Sequence, residues 1–174
     1  MALLNSSGQV VDTQIILQTR LGVQIENVQS WNLTALDWNP VSSDSIKKYV
    51  HARQLSEACP VYNCHGLTFG SRRTAVTHEI SPILSQDGYS EVPEASAREG
   101  DIAAYIEGNE ISHTGFVIGR EPLLIGSSTT LRIWSKWSRG PEMSHLVQDC
   151  PYYAGEGSVR FFRLTEWRDA WRER

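Results

Sequence analysis

Tyr62-Asn63-Cys64-His65-Gly66-Leu67-Thr68-Phe69 puts a cysteine where a helix is expected to begin. Asn63 has the side chain of a good N-cap, because its oxygen accepts from a backbone N–H that the first turn leaves unpaired. Cys64 then falls in the first turn, where free N–H groups and the positive end of the helix dipole favour a thiolate. Gly66 and Gly70 are poor helix formers, but lacking a Cβ they let a neighbouring strand come close to one face. The expected unit is a helix over residues 64–76 packed hard against a sheet.

Upstream, residues 1–12 carry the polar cluster Asn5-Ser6-Ser7-Gly8 and read as a loose end or a short first strand. Residues 12–28 mix helical spacing with alternation, so helix and strand both stay open there. Residues 31–40, with Trp31, Trp38 and an Asn39-Pro40 turn, read as an extended wrap. Ser42-Ser43-Asp44 offers a cap for a helix over 45–55. Downstream, 80–85 reads as a short helical turn, 89–92 as a brief strand and 93–100 as a loop. Four apolar or alternating runs, 101–106, 111–118, 131–138 and 159–164, then read as strands. Thr165 is expected to cap a last helix with Trp167 and Trp171 on one face. A helical first half followed by a meander of strands is the order of an α+β domain. It is read as a single domain over 1–174, with 1–59 as a helical and extended wrap and 60–174 as the catalytic core.

A chain of 174 residues can bury a core without metals or disulfides. Its 16 basic and 20 acidic residues leave a net charge of -4, which argues against an electrostatic binder of nucleic acid. No run approaches the ~18 apolar residues of a membrane span, and the first residues lack the basic and apolar regions of a secretory signal. The expected location is the cytoplasm, or outside it by export without such a signal, and no membrane partner is expected. Cys59, Cys64 and Cys150 are odd in number and match no disulfide scaffold, so they read as free thiols.

A thiol nucleophile needs a base, and His113 opens the run His113-Thr114-Gly115-Phe116-Val117-Ile118-Gly119. A histidine at the start of a buried strand that faces the Cys64 helix has its ring fixed and a nitrogen free for the thiol proton. Glu99-Gly100-Asp101-Ile102-Ala103-Ala104-Tyr105 supplies the neighbouring strand. Together these three motifs, over roughly residues 60–140, resemble the papain-like cysteine hydrolases of the NlpC/P60 and CHAP superfamily. The resemblance implies a papain-like fold of α+β class, its nucleophile helix packed on an antiparallel sheet. It also implies hydrolysis of amide bonds, commonly in bacterial cell-wall peptides, with Cys64 matching the nucleophile and His113 the base.

The family's third residue orients the imidazole from the strand after the histidine strand. Here that strand is Leu131-Arg132-Ile133-Trp134-Ser135-Lys136-Trp137-Ser138, without the usual histidine, asparagine or glutamine. Ser135 can accept from a ring N–H, whereas Lys136 has only donors. Ser135 is therefore the expected third residue, with His145 as the alternative. His65, about 100° around the helix from Cys64, reads as a residue of the substrate cleft rather than a base. Tryptophans are usually core, but Trp137 is placed with His65 as a candidate for substrate binding. His51 and His78 have no motif around them.

No cofactor is expected. A mixed zinc site from Cys59, Cys64, His65 and His113 or His145 is the weaker reading, because no second ligand pair follows the first. The expected function is that of a cysteine hydrolase acting on a peptide or peptidoglycan-like amide, as an antibacterial effector, a lysis protein or a cytosolic protease or deamidase toxin. An immunity or inhibitor protein would be its second partner. The rival is a non-catalytic binding or adaptor domain.

Overall fold

The computed structural model describes residues 3–4, 10–30, 48–77, 79–122 and 129–165. Within them β1 (Leu3–Leu4) pairs with β2 (Val10–Val11), and β3 (Asn27–Val28) and β4 (Arg53–Gln54) precede α1 (Cys64–Phe69). β5 (Ala75–Val76) pairs back onto β3, and α2 (Ser81–Gln86) leads into β6 (Tyr89–Val92). The remaining strands are β7 (Ile102–Glu107), β8 (Glu110–Pro122), β9 (Thr129–Lys136), β10 (Glu142–Leu146) and β11 (Val159–Leu164). Seven strands join into one antiparallel sheet in the order β4-β10-β9-β8-β7-β11-β6.

The expected α+β papain-like architecture is not what forms. The described chain is mostly β, a seven-stranded antiparallel sheet with two helices of six residues each. α1 stops at Phe69 instead of 76 because Gly70 and Arg72 both donate to the Gly66 carbonyl, at 3.0 and 3.1 Å. Ser71 and Arg72 then take left-handed φ values of 51° and 61°, which turn the chain out of the helix. Ala75 and Val76 are claimed by pairing with Val28 and Asn27. Of the helix expected over 45–55, residues 45–47 lie outside the described residues. Residues 48–55 form a turn and β4, whose Arg53 and Gln54 pair with Ser144 and Met143. The wrap over 31–40, His78 and the helix after Thr165 also lie outside the described residues.

The strands of the second half form where alternation put them, and β7, β8 and β9 are consecutive antiparallel neighbours in the register Ile102↔Phe116↔Trp134. His113 lies near the first end of β8. β10 was not announced by the pattern, since Glu142, Ser144 and His145 are polar, yet all five of its residues are buried. Phe161 and Phe162 show how the sheet is covered, because adjacent strand residues face opposite sides. Phe161 packs with Tyr105, Val117, Leu131 and Ile133 under Val147 and Cys150. Phe162 joins Ile25, Val76, Ile83 and Leu84, which bring α2 and the β3–β5 ribbon onto the other face.

The close approach expected at Gly66 is real, but its partner is the chain just before β5. A Cβ on Gly66 would lie 1.9 Å from the Thr74 carbonyl oxygen. Gly66→Ala should therefore lower stability by about 2–3 kcal/mol or more, because backbone rather than a flexible side chain would have to give way. Urea unfolding of the variant against the parent measures this, and a loss under ~0.5 kcal/mol would mean that the helix is not held where it is described.

Candidate active site

Asn63 builds the start of α1 as the sequence suggests and does more. Its Oδ1 accepts from the Gly66 N–H at 2.9 Å, which is the N-cap bond, and from the Val76 N–H at 3.1 Å. Its Nδ2 donates to the Val76 carbonyl at 2.7 Å. One side chain thus caps the helix and ties it to β5, and Cys64 follows as the first helical residue, buried.

The thiol lies near two imidazoles, those of His65 and His113. Burial alone would raise its pKa, but the charges of His65 and His113, and side-chain hydrogen bonding to the His65 ring, hold it well below the ordinary cysteine value. A helix of six residues offers only a short dipole, so the two rings carry most of this effect. Conversely, burial would lower the His65 pKa, and Cys64 with a backbone contact from Ile111 raises it. Thiol and ring thus shift each other in opposite directions, the thiol down and the His65 ring up.

His65 is not simply the cleft residue of the sequence reading. It lines a cleft of about 560 Å³ with Asn63, Glu79, Glu110 and Ile111, but it is itself buried and held by a hydroxyl chain. Thr68 Oγ1 donates to the Cys64 carbonyl at 2.9 Å, since a carbonyl can only accept. The Thr114 hydroxyl, 3.0 Å from Thr68 Oγ1, must then donate to it. Thr114 Oγ1 is left to accept from His65 Nδ1–H at 2.9 Å. In the neutral ring the lone pair is therefore on Nε2. Thr68 and Thr114 were not singled out from sequence. The available signals were the four-residue step from Cys64 to Thr68, one helical turn, and the place of Thr114 beside His113.

His113 is fully buried, with Tyr105 opposite it on β7 and the Tyr152 ring stacked on it at 4.1 Å and 5°. Among the described residues neither of its nitrogens has an aligned hydrogen-bond partner, so its approach to Cys64 is one of proximity and charge. Ser135 does not orient it. The Ser135 hydroxyl meets His145 Nε2 at 2.8 Å instead. His145 Nδ1 donates to the Leu146 carbonyl at 2.8 Å, which fixes Nε2 as acceptor and Ser135 as donor. Burial pushes the His145 pKa down to about 3, so this ring is neutral and spends both nitrogens away from His113.

Trp137 does not line the cleft. It is fully buried against Met143, Tyr49 and Ala52, because the end of β9 turns into the core. Lys136, beside it, is an entirely buried amine that donates to the Gly140 carbonyl and sits 4.4 Å over the Tyr62 ring. Burial pushes its pKa down to about 8. Glu142 accepts from Tyr62 Oη at 2.6 Å, Arg72 Nε at 2.6 Å and Trp134 Nε1 at 2.9 Å, locking both ends of the α1 segment to β9 and β10. Comparisons of the chain with family models, with curated proteins and with solved structures find no match.

The lowered thiol pKa predicts selective alkylation. A thiol held low stays ionised to a lower pH than an ordinary cysteine, while burial pushes Cys150 up to about 12 and keeps it protonated. With a small haloacetamide at pH 6, Cys64 should react roughly a hundredfold faster than Cys150, and its rate should fall only when the pH drops through its own lowered pKa. Peptide mapping after timed labelling reads this directly; equal, slow labelling of Cys59, Cys64 and Cys150 would refute the lowered Cys64 pKa.

Proposed function

We propose that this chain is a cysteine hydrolase that cleaves an amide or peptide bond through Cys64 and His113. The observation that carries the reading is that one buried cysteine lies near two buried imidazoles, beside an open cleft that one of those rings lines. The order of the Asn63-Cys64-His65-Gly66, Gly100-Asp101-Ile102 and His113-Thr114-Gly115 motifs, which resembles that of NlpC/P60 and CHAP hydrolases, supports the reaction class. It does so without their architecture.

In this mechanism His113 takes the Cys64 thiol proton, the thiolate attacks the substrate carbonyl, and His113 passes that proton to the leaving amine as the C–N bond breaks. The acyl-thioester is then hydrolysed by a water whose proton His113 removes. His65, held through Thr114, balances the thiolate charge before attack. The cleft carries Glu79 and Glu110, which favours neutral or cationic amides over acidic ones. Peptidoglycan stem peptides and protein side-chain or isopeptide amides are the substrate classes to test, with an antibacterial or lytic role for the first.

One observation favours the rival, a binding domain without catalysis: His113 lacks an orienting acceptor among the described residues. An activated acyl ester separates the two without knowledge of the substrate. The hydrolase should release a burst of one leaving group per chain and carry the acyl mass on Cys64. Cys64→Ala should abolish the burst, and His113→Ala should slow acylation by about a thousandfold. Acylation that persists in Cys64→Ala would refute the assignment.

A further inference from the structure

We propose that His113, His145 and Cys150 form a site for a borderline divalent cation, Zn²⁺ being the best match, and that filling it draws His113 away from Cys64. The three side chains come from β8, β10 and the turn-rich segment that follows β10. All three are buried, and one donor atom of each lies within 4.8 Å of the others. Two imidazoles and a thiolate are borderline to soft donors, which select zinc and its neighbours over magnesium or calcium.

Observations independent of that spacing point to a ligand. Neither nitrogen of the fully buried His113 has a hydrogen-bond partner among the described residues, although buried imidazoles normally use at least one. His145 is already in the tautomer that a metal ligand needs. Its Nδ1–H is held by the Leu146 carbonyl, and its Nε2 lone pair is covered only by the Ser135 hydroxyl, which can turn away.

A tetrahedral zinc ion would set nitrogen and sulfur ligands roughly 3.3–3.6 Å apart, so the donors must close by about 1 Å. Cys150 lies in irregular chain rather than in a strand, so a shift of it breaks no strand pairing. A neutral imidazole has one lone pair, so a His113 that holds a cation cannot also accept the Cys64 proton. This regulatory half rests on the hydrolase reading above; the site itself does not.

The test uses the whole chain, kept reduced, stripped with a chelator and titrated with Co²⁺ as the probe. One equivalent should bind and produce a thiolate-to-cobalt charge-transfer band with the strong visible bands of a tetrahedral site, all bleached by Zn²⁺. Cys64→Ala should keep this spectrum. Cys150→Ser should lose the charge-transfer band and bind about tenfold or more weakly, and His145→Gln should bind as weakly while keeping the band. One equivalent of Zn²⁺ should slow alkylation of Cys64 about tenfold in the parent, and not in Cys150→Ser. Absence of stoichiometric binding, or a charge-transfer band that follows Cys64 instead of Cys150, overturns the site. Unslowed alkylation with the site full overturns the regulation. The cobalt spectrum needs no substrate and is read in Cys64→Ala, so its failure is separate from failure of the hydrolase.

Discussion

The Asn63 side chain is the contact on which the rest of the site depends. Three hydrogen bonds, two to Oδ1 and one from Nδ2, join the first turn of α1 to both polar groups of the Val76 peptide. A short helix has little stability of its own, because nucleation consumes most of what its few hydrogen bonds supply. α1 persists because tertiary contacts hold it at the first turn. Asn27 does the same for the ribbon behind it: its buried amide accepts from the Thr74 hydroxyl and donates to the Ile15 and Ile25 carbonyls. Two asparagines with their polar atoms paired thus fix β5, and through it the position of Cys64.

The second clamp is electrostatic. Burial would push the Glu142 carboxyl up, but Arg72, Tyr62 and Trp134 hydrogen-bond its charged form and hold it below the ordinary range. Such a nearly buried anion is tolerated because its partners satisfy it, and removal of one would leave the charge unpaired. Tyr62 precedes α1 and Arg72 follows it, so a single carboxylate on β10 determines how the helical segment leans on the sheet. The guanidinium of Arg72 also lies 4.8 Å over the Trp134 ring, which reinforces the same seam.

These constraints deliver a strand and a helix start to each other. Consecutive residues of β8 then act differently: His113 comes up beside the thiol, while Thr114 holds His65 through the chain of hydroxyls. The result is a cysteine with two imidazoles. His145 takes no part in orienting His113, since Ser135 and the Leu146 carbonyl occupy its nitrogens. The polar pair formed by Ser135 and His145 is internally satisfied, which is why it can sit in the core beside Cys150.

Much of the second half of the chain is legible in its residues, for a local reason. Period-two alternation depends only on which side of a strand each residue faces, so β6, β7, β8, β9 and β11 can be read without knowing their partners. The Asn63 cap and the helical start at Cys64 are local in the same sense. The proportion of helix to sheet was not legible. α1 ends after Phe69 and Ala75 begins a strand because of hydrogen bonds to Gly66 and pairing with residues 27–28, all of them partners that pattern does not reveal. β10 escaped for a related reason, as polar residues read as loop until a sheet supplies their partners. At the site, the order of the motifs singled out Cys64 and His113 from the chain alone. That His65 is pinned by Thr114, that Ser135 serves His145, that Trp137 is core and that Cys150 lies with two histidines were decided only by tertiary structure. Each depends on side chains far apart in sequence and brought within hydrogen-bonding or packing distance by the sheet.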